Sequence, residues 1–120
     1  MVKRTILLLA LCLSLFMLMA CGDEPSALPP LDLTLHAQDI KFDQNVLTAK
    51  VNQPINLTYI NEGMIDHAFK IEGLVEEYKV KPGEMHLFTF TPPKAGEFKF
   101  VCAMPGHAEA GMVGTLTVTS

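Results

Sequence analysis

Tryptophan is absent from this 120-residue chain, tyrosine occurs twice and cysteine three times. Two of the cysteines, Cys12 and Cys21, fall inside or at the end of an N-terminal apolar run. The body of the chain therefore carries one thiol, Cys102, and cannot close a disulfide on itself. That excludes a disulfide-stapled miniature scaffold and a four-cysteine zinc site. Positive charge is also scarce: nine Lys and Arg stand against thirteen Asp and Glu, a formal net charge of −4. Loss of Lys3 and Arg4 with the N-terminal segment would take it to −6. Nucleic acid, which is held through clustered cationic side chains, is not an expected partner. No amphipathic helical stripe and no internal repeat is evident. The apolar run Ile6–Ala20 falls short of the roughly 20 residues needed to cross a bilayer.

Lys3 and Arg4 followed by that run have the form of a secretory signal, with a charged start and an apolar middle. The run ends Leu18-Met19-Ala20-Cys21, which resembles a bacterial lipobox, whose cysteine is acylated and becomes the first mature residue. The expectation is a signal peptide over 1–20, a lipidated Cys21, and an exported protein anchored at the cell membrane, facing the periplasm or the extracellular side. Gly22-Asp-Glu-Pro-Ser-Ala-Leu-Pro-Pro30 has no periodic apolar face and several prolines, so 21–30 reads as a tether. Nearly extended, it would reach roughly 30 Å.

From residue 31 the pattern changes to alternation. Leu31, Leu33 and Leu35 alternate with Asp32, Thr34 and His36. Ile55, Leu57 and Tyr59 repeat that period, as do His67, Phe69 and Ile71, Phe88 and Phe90, Phe98 and Phe100, and Leu116 and Val118. Breakers such as Gln53-Pro54, Asn61-Glu62-Gly63, Lys81-Pro82-Gly83 and Pro92-Pro93 separate the runs. Short strands at this spacing predict an all-β antiparallel sandwich over 31–120. The stretch Gln38–Lys50 keeps neither period and is expected to be an irregular, bulged strand.

Chemistry concentrates in Cys102-Ala-Met-Pro-Gly-His107-Ala-Glu-Ala-Gly-Met112. A thiolate, an imidazole and a thioether suit copper better than other common metals, and His67 can supply a second imidazole. Structural zinc takes four strong donors, which these residues do not offer. Counting by two from Phe98 reaches Cys102, and counting back by two from Ile71 reaches His67. Both donors should thus face the core, with the loop Ala103–Gly111 folding His107 and Met112 over them. His36 and His86 lack such company and read as surface residues. Asp66 reads as solvated, and Met64, Met85 and Met104 as core filler or a surface patch.

The segment Phe98–Val118, with Cys-x₄-His-x₄-Met inside it, closely resembles the C-terminal signature of the small blue copper proteins, the cupredoxin family of azurin, auracyanin and plastocyanin. Pro82-Gly83-Glu84 before an aromatic strand fits the same pattern. The resemblance implies a Greek-key β-sandwich and one type 1 copper ion, with His67, Cys102 and His107 as equatorial ligands and Met112 as a weak axial one. It also implies a monomeric, non-enzymatic carrier of single electrons. Its partners would be redox proteins such as cytochromes or membrane electron-transfer complexes, met through an apolar rim around the His107 edge. A lipid-anchored copper storage or delivery protein is the alternative. Gly106 stands where a binuclear copper loop would need a second cysteine. Val101 and Ala103 stand where a multicopper oxidase or copper nitrite reductase domain would place a histidine. Ala68 departs from the family, which often has Asn there to tie the ligand loops together. The Ala68 N–H is expected to reach the Cys102 sulfur instead, and Asn61 is a possible substitute.

Overall fold

The structure is a computed structural model that describes residues 27–120; the proposed leader, Cys21 and the first part of the tether lie outside the described residues. Nine strands follow one another: β1 (Leu31–Gln38), β2 (Lys41–Phe42), β3 (Val46–Lys50), β4 (Ile55–Asn61), β5 (His67–Ile71), β6 (Val75–Val80), β7 (Met85–Phe90), β8 (Gly96–Cys102) and β9 (Val113–Thr119). They form two sheets, ordered β2-β1-β4-β7 and β3-β9-β8-β5-β6. The protein is an all-β sandwich, and no helix of the described residues is long and apolar enough to cross a membrane.

Alternation puts one face of each sheet inward. Leu35, Ala37, Leu57 and Tyr59 of the smaller sheet belong to one buried cluster with Phe69, Ile71, Phe100, Leu116 and Val118 of the larger. Aromatic rings join the layers: Tyr59 and Phe69 have centroids 4.9 Å apart, Phe69 and Phe88 5.2 Å, and Phe42 and Phe100 5.4 Å. Each such pair adds about 0.5–1.5 kcal/mol beyond the area it buries.

Three features depart from the expectation. The segment Gln38–Lys50 is not one bulged strand. It turns at Asp39 and Ile40, pairs briefly as β2 with β1, then leaves for the other sheet as β3. Phe42 is the anchor of this crossing, its ring packed between the aromatic groups of both layers. The crossing also makes the sandwich only partly antiparallel, because a chain that visits the opposite sheet returns in its original direction. β1 therefore runs parallel to β4, Leu31 opposite Ile55, and β3 parallel to β9, Val46 opposite Thr115. Finally, β6 showed no alternation in the sequence because it is an edge strand exposed along most of its length.

The Tyr59 hydroxyl is buried and has no hydrogen-bond partner among the described residues. Burial pushes its pKa well above the ordinary tyrosine value, with nearby Cys102 adding to the effect, so the group stays neutral. Removing an unpartnered buried hydroxyl should not be harmful. Tyr59→Phe is predicted to leave stability unchanged or to raise it by up to about 1 kcal/mol in urea unfolding; a clear loss would reveal a partner for the hydroxyl.

Candidate metal centre

The centre is built on one strand pair. β5 and β8 are antiparallel neighbours with Phe69 opposite Cys102, which sets Cys102, the last residue of β8, beside the middle of β5 and brings His67 two residues away across the ladder. All three of His67, Phe69 and Ile71 are buried, as are Phe100 and Cys102. Counting by two thus places both donors inward, and they come from adjacent strands of one sheet.

Beyond Cys102 the chain folds back on itself. The Cys102 N–H donates to the Met112 carbonyl at 3.0 Å, and the Met112 N–H donates to the His107 carbonyl at 3.0 Å. Within the loop, His107 N–H reaches the Met104 carbonyl at 3.1 Å and Ala110 N–H the Gly106 carbonyl at 3.1 Å. Gly111 closes the turn with φ of +102°, a conformation that a residue with a Cβ rarely adopts. These main-chain bonds fix the loop and carry Met112, which is wholly buried, back beside Cys102.

The donor atoms converge. His67 Nδ1 lies 3.6 Å and His107 Nδ1 3.3 Å from Cys102 Sγ. The two rings are edge to face with centroids 5.1 Å apart, and the three ligand atoms all lie within 4.8 Å of one another. His67 and Cys102 are wholly buried, whereas His107 is half-buried. Burial holds the His67 pKa below its ordinary value, and neighbouring His107 adds to this; Asp39 and Asp66 oppose it. A neutral imidazole is the form that ligates a metal. One thiol sulfur, two imidazole nitrogens and a buried methionine fit copper by softness and number, and a four-donor zinc site would lack a strong ligand.

The family's asparagine is replaced by backbone. The Ala68 N–H donates to Cys102 Sγ at 3.4 Å, and the Ala103 N–H donates to the Ala68 carbonyl at 2.6 Å. These two bonds tie the ligand-bearing segments to each other with no polar side chain at 68. Asn61 does a different job from the one suggested by its type. It is buried at the end of β4, where Nδ2 donates to the Ile65 carbonyl at 2.8 Å and the Val80 carbonyl at 2.9 Å, and Oδ1 accepts the Gly63 N–H at 2.9 Å. Asn61 thus shapes the loop that leads into His67.

The remaining polar neighbours sort clearly. Asp66 pairs with Lys79 at 3.5 Å on the surface. His36 is paired with Glu62 at 2.7 Å, and His86 stacks on Tyr78 at a centroid distance of 3.7 Å, both away from the donor cluster. The carboxylate that faces the outer nitrogen of His67 is Asp39, 3.5 Å from Nε2. Sequence reading missed it, since it lies 28 positions upstream of His67 in the stretch with no clear period.

Comparison with known proteins agrees with this construction. The chain belongs to the cupredoxin-like family, whose domain matches residues 7–118. It is 29% identical over 101 residues to the copper-resistant cuproprotein CopI of Rubrivivax gelatinosus, covering 66% of this chain and 60% of that protein. It is 31% identical over 97 residues to CopI of Vibrio cholerae, covering 64% and 57%. The chain thus spans less than two thirds of the length of these relatives. In structure it resembles the reduced auracyanin of Roseiflexus castenholzii, with a TM-score of 0.68 and 21% identity over 74% of this chain and 97% of that one. Family, fold and donor set together define a copper-binding cupredoxin with the ligand types of a type 1 site.

Asn61→Ala would take their partner from one buried carbonyl, one part-buried carbonyl and one buried N–H. It is predicted to destabilise the metal-free protein by about 2–3 kcal/mol in denaturant unfolding; a change below about 0.5 kcal/mol would mean the loop before His67 is held by other contacts.

Proposed function

We propose that this protein is an exported, lipid-anchored type 1 copper protein that passes single electrons between redox partners, with no chemistry on a substrate. His67, Cys102 and His107 would hold the metal strongly and Met112 weakly. Bound copper would supply one-electron exchange between Cu(I) and Cu(II) with little rearrangement of its ligands. The observation that carries this reading is the burial pattern: His67, Cys102 and Met112 are sealed from solvent while His107 alone of the four is half-buried. The chain's own residues then divide the work. The main-chain bonds around Cys102 and Met112 hold the donors in place whatever the charge at their centre. Ala68 stabilises the thiolate sulfur through its N–H. The His107 edge is the route by which an electron reaches the surface.

Exposed Met64, Ile65 and Pro105 and half-buried Ala103, Met104 and Ala108, from the segments that carry His67 and His107, would supply an apolar rim around that edge. Such a rim excludes water on contact and favours brief docking over a small area, as transient redox encounters require. Cytochromes or membrane electron-transfer complexes are the partners of this kind, and the protein would meet them as a monomer held at the membrane by Cys21.

Loading Cu(II) into the purified protein should give an intense blue thiolate-to-copper absorption, lost in Cys102→Ala and kept in Met112→Leu with a shifted potential. A colourless loaded protein would overturn the reading, and loss of copper from Met112→Leu would overturn the weak role of that residue. Cells grown with a labelled fatty acid should incorporate the label into the wild-type protein and not into Cys21→Ser; an unlabelled wild-type protein would exclude the lipid anchor.

A second reading, copper storage or delivery, is favoured by the relatives named as copper-resistant cuproproteins. The two differ in exchange. An electron carrier should exchange electrons with a soluble redox protein far faster than it yields copper to a competing chelator, and the reverse order would favour delivery.

A further inference from the structure

A metal centre uses one nitrogen of each histidine, and the hydrogen bond made by the other nitrogen fixes the ring and tunes its basicity. His67 presents Nδ1 to the Cys102 sulfur, while Nε2 is buried and has no close hydrogen-bond partner among the described residues. The group aimed at that nitrogen is the Asp39 carboxylate, with Oδ1 at 3.5 Å.

Asp39 is itself held in place. Both of its oxygens accept the Met64 N–H, at 2.9 and 3.0 Å, which clamps the turn between β1 and β2 onto the loop before His67. The next residue, Ile40, has φ of +35°, a costly conformation for a β-branched side chain that persists only where the surroundings enforce it. Gly63 leaves the gap through which Asp39 and His67 meet. A Cβ there would collide with Asp39 Oδ1 and lie 3.0 Å from His67 Nε2. Two segments that are far apart in sequence, 39–40 and 63–67, therefore agree in directing one carboxylate at one buried imidazole nitrogen.

We propose that Asp39 is the positioning residue of the copper centre: its carboxylate accepts the Nε2–H of His67, holds Nδ1 toward Cys102, and places a fixed negative charge that favours Cu(II) over Cu(I). The inference rests on the reading of His67 as a copper ligand. Asp66 does not fill this role, because it pairs with Lys79.

The test is Asp39→Asn in the full chain, solubilised in detergent and loaded with copper. Asparagine keeps an oxygen for the Met64 N–H, so the fold is retained, but removes the charge. The blue absorption should persist, the Cu(II)-over-Cu(I) preference should fall about tenfold, raising the potential by about 59 mV, and Cu(II) affinity should fall roughly 10- to 100-fold. Gly63→Ala, which pushes the carboxylate aside without removing it, should move potential and affinity the same way, and Asp39→Glu should restore part of both. Unchanged potential and affinity in Asp39→Asn overturn the assignment. A wild-type protein that takes up no copper overturns the copper reading itself, and the assignment falls with it.

Discussion

The register between β5 and β8 is the constraint on which the rest depends. With Phe69 opposite Cys102, the sulfur stands beside the backbone of Ala68, and His67 comes within reach of it. A shift of one residue would turn Cys102 or His67 to the opposite face of the sheet and separate the donors, because side chains alternate across a strand. The register is secured from both sides. Below, Phe69 and Phe100 are wholly buried in the aromatic core; above, the Ala103 N–H meets the Ala68 carbonyl. The core therefore does more than stabilise the domain. It sets the position of the site to within the tolerance of strand pairing.

Such a site is pre-organised by groups that are not ligands. The backbone bonds from Cys102 to Met112 and from Met112 to His107 close the loop, and Asn61 braces the loop on the other side. Under the proposed electron-carrier role, a frame of this kind would resist rearrangement of the ligands in either charge state. The same frame leaves one imidazole partly open to solvent, so rigidity and access are supplied by different residues.

The donor set was legible in the sequence because its chemistry and its periodicity coincide: Cys102 and His67 each continue a run of inward residues, and the spacing to His107 and Met112 is local. The two-sheet architecture was legible for the same reason, as alternation in Leu31–Leu35, Ile55–Tyr59 and Leu116–Val118 survives in the burial pattern. What escaped depends on long-range placement. The crossing at Gln38–Lys50 is governed by Phe42 meeting rings from both sheets, and no local period announces that. Asp39 reaches His67 only because the β1–β2 turn folds over Gly63, whose small size gives no signal until its neighbours are known. At Ala68, where the family often has Asn, the main chain donates to the Cys102 sulfur, a bond that needs no particular side chain and so leaves no signal in the sequence.

The polypeptide alone holds the two imidazoles and the sulfur together. Crystal structures of the copper-free and copper-loaded protein would test this directly. The loaded crystal should show one metal ion bound by Nδ1 of His67, Nδ1 of His107 and Sγ of Cys102, with the backbone of Ala68 and of 102–112 in the same place in both. A metal bound elsewhere, or a loop that rebuilds its hydrogen bonds between Cys102 and Met112 on loading, would contradict it.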